Sequence, residues 1–266
     1  MSAPSPRFKS IAITGASRGL GAAMAEEFAS SGVSLFLSAR DMDKLNKVAD
    51  LCRAKGANVH LTALDVRSKD QSAQWIETIN RIAPLDLVIA NAGISAGTGG
   101  NESGVMSSES PDQVENIFAV NFHGALNTIS PAIEAMSKRG KGHIAMTASL
   151  AGFRGIAGAP AYCASKAALK TYGEGLRGQL APAGIDVSVI CPGFVETDMT
   201  AVNGFKMPFL MKAAKAAKII RSGLERKKGR IAFPLPMLFG VWLLTTLPDA
   251  LVHRLTLNAP AKPAQK

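Results

Sequence analysis

Tyr162 and Lys166 stand four residues apart in the run Tyr162-Cys163-Ala164-Ser165-Lys166. On a helix that spacing puts both side chains on one face. A phenol titrates at about 10 and is a poor acid–base group at neutral pH. A neighbouring ammonium favours the phenolate and lowers that value. The pair therefore suits proton exchange with a carbonyl or alcohol oxygen. The chain has only two tyrosines, so a chance Tyr-x-x-x-Lys is uncommon, although alone the pattern also fits a solvated helix surface. Ser149 lies a short way before the pair, and a hydroxyl there can hold a substrate oxygen as charge develops on it. A lone serine at a strand end is otherwise a turn residue. Asn121, in Asn121-Phe122-His123-Gly124, is by itself a polar residue able to bond backbone within a helix.

A second group of residues suits a phosphate. Thr14-Gly15-Ala16-Ser17-Arg18-Gly19-Leu20-Gly21 follows a strand-like run and opens a helical pattern. Glycines let the backbone turn tightly and let a pyrophosphate approach. The free N–H groups and dipole of a helix start favour the anion. The spacing is Gly-x-x-x-Gly-x-Gly. Further on, Asp65-Val66, Asn91-Ala92-Gly93 and Pro192-Gly193 each end a strand-like run, and Val195 and Thr197 follow the last.

In this order the motifs resemble the short-chain dehydrogenase/reductase family, over about residues 8–233. The resemblance implies a Rossmann-type domain that binds NAD or NADP. It implies Asn121, Ser149, Tyr162 and Lys166 as the catalytic set, with Tyr162 as acid/base and Asn121 helping to position the lysine and a proton-relay water. It assigns Gly15, Ser17, Arg18, Gly19, Leu20 and Gly21 to the cofactor's phosphates, Asp65 and Val66 to its adenine, and Asn91, Ala92 and Gly93 to the adjoining turn. Pro192, Gly193, Val195 and Thr197 fall at the nicotinamide carboxamide, and Tyr162 and Lys166 also touch cofactor. The implied reaction is reduction of a ketone to a secondary alcohol, or the reverse, by a homodimer or homotetramer. The competing reading is a non-catalytic dinucleotide-sensing or scaffold protein on the same fold.

The second strand ends Leu37-Ser38-Ala39-Arg40. An acid near this point would bond the ribose 2′-hydroxyl of NAD. Ala39 stands there instead, and Arg40 and Arg18 supply guanidinium groups that match a 2′-phosphate. NADP(H) is expected over NAD(H), with Asp41 the one residue that keeps NAD(H) open. His60, His123, His143 and His253 show no ligand spacing with one another or with the cysteines, so no metal site is expected. Cys163, inside the catalytic run, is expected to be an inert thiol.

These residues need a frame. Apolar runs at Ser10–Thr14, Val33–Ser38, Val59–Leu64, Leu85–Ala90, His143–Thr147 and Asp186–Ile190 read as strands. Between them Leu20–Ser31, Lys44–Ala54, a stretch through Trp75, much of Asp112–Arg139 and Ala161–Leu180 read as helices. Near-continuous apolar strands alternating with helices predict an α/β fold: a Rossmann-type doubly wound parallel sheet with helices on both faces. Arg230–Phe233 would make seven strands. Ala96–Ser110 reads as a surface loop and Gly193–Pro208 as a mobile lid at the carboxyl end of the sheet.

Length and composition agree. The chain has 266 residues, 47% apolar and 19% charged, enough for one large α/β domain with a full core. Three scattered cysteines make no disulfide framework, and a reducing compartment is expected. Arg7 and Lys9 have no apolar run behind them, so no secretory leader is expected and the chain is placed in the cytoplasm.

The net charge is +10, and residues 1–200 balance at 18 basic and 18 acidic side chains. The whole excess sits in residues 201–266, with 12 basic and 2 acidic. A basic helix is expected at Lys212–Lys228. No charge follows between Arg230 and Asp249, and prolines 234, 236 and 248 break that window. Met237–Leu247 is too short to span a bilayer. It is read as a segment (234–258) that packs as a core or dimer helix, lines the substrate pocket, or meets the inner face of a membrane. The last reading, supported by the adjoining basic charge, suggests a lipid-like 3-oxo substrate. Nucleic acid is not expected as a partner, because no reading motif accompanies the charge. Residues 259–266 are read as a disordered tail.

Overall fold

The computed structural model describes residues 6–95 and 109–256. The chain alternates β1 (Ser10–Thr14), α1 (Gly19–Phe28), β2 (Ser34–Ala39), α2 (Met42–Ala54), β3 (Asn58–Ala63), α3 (Lys69–Ile82) and β4 (Leu87–Ala90). It continues with α4 (Pro111–Phe118), a π-helical turn (Ala119–His123), α5 (Gly124–Ser137), β5 (Gly142–Thr147), α6 (Pro160–Leu180) and β6 (Ile185–Pro192). A short α7 (Asp198–Ala201), α8 (Ala213–Glu225), β7 (Arg230–Phe233), α9 (Leu235–Thr246) and α10 (Asp249–Thr256) complete it.

The seven strands form one parallel sheet in the order β3-β2-β1-β4-β5-β6-β7. The order reverses between β1 and β4, and ligands of such sheets bind at the carboxyl ends of the strands beside that point. Successive side chains of a strand serve opposite faces. Ile11 and Ile13 join Leu35, Leu37, Leu87 and Ile89 in one core, under α1, α2 and α8. Ala12, Phe36 and Val88 point the other way, into a core with Trp75 and Ile79 of α3, Ile129 of α5 and Leu169 of α6. This is the doubly wound sheet that uninterrupted apolar strands require.

The helical pattern over Asp112–Arg139 is two helices joined by the π-helical turn that holds Asn121. Such turns recur at functional sites. The helix read through Trp75 runs on to Ile82, because Ile76 and Ile79 continue its buried face. The sixth strand extends to Pro192, paired with Phe233 of β7. The segment Gly193–Pro208 is partly ordered by α7, whose start carries a reciprocal cap between Thr197 and Thr200. Of the expected Ala96–Ser110 loop only residues 109 and 110 are described, and the expected tail 259–266 lies outside the described residues.

Candidate active site

A cavity of about 1270 Å³ opens at the carboxyl ends of the strands. Its first wall is the glycine turn. Gly15 sits in the left-handed region at φ +65°, where side chains are disfavoured. A Cβ on Gly15 would lie 2.8 Å from Ala92 Cα, and one on Gly21 would lie 2.2 Å from the Gly15 oxygen. The cradle exists only because these side chains are absent, which fits a pyrophosphate group at the start of α1.

Thr14 holds the turn against its neighbour. Its Oγ1 accepts from the backbone N–H of Asn91 at 3.0 Å and of Ala92 at 3.1 Å. Asn91 Nδ2 returns a bond to the Thr14 oxygen at 3.1 Å. Thr14 thus ties the end of β1 to the turn after β4. Sequence reasoning quoted it in the motif and gave it no role; the signal was its hydroxyl at a strand end, before the first glycine.

Ser17, Arg18, Gly19, Leu20, Arg40, Asp65, Val66, Asn91, Ala92, Gly93, Pro192, Gly193, Val195 and Thr197 line the same cavity. Arg40 is exposed at its rim, next to Ala39. Asp41 lines the cavity too and is already bonded. Its carboxylate accepts the Lys44 N–H at 3.0 Å and caps α2, which holds it below the usual carboxylate range. Arg67 side-chain bonds likewise keep Asp65 low. Arg18 reaches Asp198 on α7 at 3.4 Å, joining the glycine turn to the segment expected as a lid.

Ser149, Tyr162 and Lys166 also line the cavity. Ser149 follows β5 and accepts the Ala151 N–H at 3.1 Å. Tyr162 and Lys166 lie in the first two turns of α6. Lys166 is buried and donates to the Thr147 carbonyl at 2.8 Å, with its ammonium 5.9 Å from the centre of the Tyr162 ring. Burial brings Lys166 down to about 8. The expected lowering of Tyr162 by this ammonium is not what the geometry gives. Burial pushes the phenol up to about 12, and a side-chain bond with Ser149 opposes that only in part. Desolvation is the larger effect, because it takes the charged phenolate out of water.

Asn121 is the one member of the expected set that does not line the cavity. It is fully buried behind Gly93. Its Oδ1 accepts the Ile94 N–H at 2.8 Å, and its Nδ2 donates to the Ile94 oxygen at 2.9 Å and to Ser165 Oγ at 3.0 Å. It joins the turn after β4 to α6. Glu109 was also missed. Its Oε2 accepts the Ala161 N–H at 2.8 Å, an acceptor that Ala159, the residue before α6, does not supply. Nothing in the local sequence announces a cap from so far away.

The cavity also has apolar lining, with Leu150, Ile156, Phe194, Val202 and Phe205 on its wall beside Arg154 and Lys206. Met237, Val241 and Leu244 of α9 complete it. Of the fates open to the C-terminal segment, lining the pocket is one it has. Among the described residues, which exclude the His253 side chain, no three His, Cys, Asp or Glu residues are grouped to hold a metal. Cys52, Cys163 and Cys191 are buried thiols.

The family model for short chain dehydrogenase matches residues 9–206. The chain is a short-chain dehydrogenase/reductase. An uncharacterized oxidoreductase of Myxococcus xanthus is 36% identical to this chain, covering 92% of this chain and 94% of its own. A ketoacyl reductase of Nostoc, HetN, is 32% identical, covering 76% and 69%. Among solved structures, a short chain dehydrogenase/reductase from Burkholderia phymatum in complex with NAD superposes with a TM-score of 0.79 at 25% identity, covering 97% and 98%. A short-chain dehydrogenase from Sphingobium yanoikuyae in complex with NADPH has a TM-score of 0.75 at 26% identity, covering 91% and 97%. The protein is an NAD(P)-dependent oxidoreductase acting on an alcohol or carbonyl group of a small molecule.

Proposed function

We propose that the enzyme uses NADPH to reduce a ketone on a long-chain, lipid-like 3-oxo substrate to a secondary alcohol, or runs the reverse, with Tyr162 as acid/base. One observation carries this reading: a single cavity is lined by a phosphate cradle, the Ser149–Tyr162–Lys166 group and apolar side chains that include three of α9. The Nostoc relative's name, ketoacyl reductase, favours the same substrate class.

At neutral pH the buried Tyr162 phenol keeps its proton, so it begins ketone reduction as the acid. Ser149 bonds the carbonyl oxygen and steadies the charge that grows on it. NADPH, when bound, supplies the hydride to the carbonyl carbon. Tyr162 gives its proton to that oxygen, and the Lys166 ammonium, held by Thr147, offsets the phenolate left behind. Asn121 fixes the distance between the turn after β4 and α6, and so acts as a positioning residue.

NADPH is preferred over NADH on three grounds. Ala39 stands where an acid would bond the ribose, Asp41 is occupied as a helix cap, and Arg40 and Arg18 border the cavity. Residues 8–233 form the catalytic unit of a cytoplasmic homodimer or homotetramer, and an apolar substrate places it at the inner face of a membrane.

The test follows NADPH absorbance with 3-oxo substrates of rising chain length. A kcat/KM that climbs with chain length supports the reading. A flat or falling series overturns the substrate class.

A further inference from the structure

Tyr162 stands in the first turn of α6, where backbone N–H groups have no acceptor within the helix. Ala159, just before the helix, offers no side-chain acceptor, and Pro160 has no N–H. Ala161 therefore carries the first N–H of the helix, one residue before Tyr162. Glu109 Oε2 accepts it at 2.8 Å from 52 residues away in the chain. On the other side of Tyr162, its carbonyl accepts from Ser165 Oγ at 2.9 Å, and Ser165 accepts from Asn121 Nδ2 at 3.0 Å. The backbone around Tyr162 is thus gripped twice, once through Asn121 and once by Glu109.

As a helix cap Glu109 is costly. Its other oxygen, Oε1, is buried and has no hydrogen-bond partner among the described residues, and a buried polar atom left unbonded opposes folding. A serine or aspartate at position 159 would cap the helix locally. A local cap would not tie α6 to another element, and Glu109 does. It directly precedes Ser110, which caps α4 by accepting the Gln113 N–H at 3.2 Å. Two consecutive residues therefore join the starts of α4 and α6. Packing between these ends is slight: their shared core has two buried members, Ile117 and Ala161. Apolar contact is non-directional, so the polar contacts set the orientation.

We propose that Glu109 is a positioning residue: it fixes the first turn of α6 against the start of α4 and so holds the Tyr162 phenol beside Ser149 for proton transfer. The inference rests on the acid/base role proposed above for Tyr162. Glu109 is not among the residues that line the cavity, so it acts through the backbone of α6. Its role is one of reach and not of charge. Burial, Ser149 and Cys163 shift the Tyr162 phenol, and Glu109 is not among the causes.

Three variants separate reach from charge. Glu109→Gln keeps the length and an acceptor oxygen without the charge. Glu109→Asp keeps the charge and withdraws the acceptor by one methylene. Glu109→Ala removes both. NADPH affinity is measured by titration, and kcat per NADPH-binding site with the 3-oxo substrate that the parent enzyme turns over fastest. The Asp and Ala enzymes should lose at least about tenfold in kcat, since small displacements of a catalytic group are costly. NADPH affinity should stay within about threefold, because the glycine turn lies after β1 and outside α6. The Gln enzyme should match the parent within about threefold in both. A Glu109→Ala kcat equal to the parent's overturns the inference. So does a Gln enzyme as slow as the Ala enzyme, since charge then carries the effect, or an NADPH affinity that falls in proportion to kcat, which marks general loosening. Should the Ala enzyme not fold, the Asp enzyme decides on the same readouts. Tyr162→Phe is run beside them: full turnover there removes the acid/base role itself, whereas a dead Tyr162→Phe beside an unaffected Glu109→Ala removes this inference alone.

Discussion

Thr14→Val probes whether the phosphate cradle is held together by one hydroxyl. Valine keeps the β-branched shape, so no cavity forms in β1. The acceptor for two backbone N–H groups disappears, at 3.0 Å from Asn91 and 3.1 Å from Ala92. Thr14 is 1% exposed, so water does not readily replace it. Each unsatisfied buried donor costs about 1–3 kcal/mol. The two together are expected to cost about 2–6 kcal/mol, a large share of the roughly 5–15 kcal/mol that holds a domain folded. The turn after β4 also loses its register with Gly15, so NADPH affinity should fall about tenfold or more. Urea denaturation gives the first quantity, and NADPH titration of the folded variant the second. Thr14→Ser retains the acceptor and should recover most of both. A Thr14→Val enzyme within about 0.5 kcal/mol of the parent, with unchanged NADPH affinity, would refute the argument.

Two further outcomes follow from the same geometry. Arg40→Asp places an acid beside the occupied Asp41, and the ratio of kcat/KM for NADPH over NADH should fall at least about tenfold; an unchanged ratio removes Arg40 from cofactor choice. His143 is buried against Ser188 Oγ at 2.8 Å, and burial lowers it from 6.5 to about 4. Between those values the unfolded chain binds a proton that the native protein refuses. Its contribution is therefore full above about pH 6.5 and is lost as pH falls toward 4, by about 3 kcal/mol. Stability curves against pH should show this slope, and His143→Gln should flatten it.

The sheet was legible because parallel strands buried on both faces must be apolar throughout, as Ile11-Ala12-Ile13 and Leu35-Phe36-Leu37 are. The tight turn before α1 was legible because only glycine fits where Cβ atoms would strike Ala92 and Gly15. What stayed hidden is set by tertiary contact. Glu109 caps α6 from a distant loop, and no local pattern encodes that reach. The π-helical turn at Asn121 interrupts a helix whose apolar periodicity continues across it. The balance at Tyr162 depends on how deeply the phenol is buried, which a four-residue spacing does not record.

The central claim, that Tyr162 is the acid/base of a ketone reductase, rests most directly on Tyr162→Phe. Turnover and NADPH affinity are measured on the same preparation. The account predicts a kcat lower by about 10²–10⁴-fold with NADPH binding nearly intact. Turnover equal to that of the parent enzyme would contradict it.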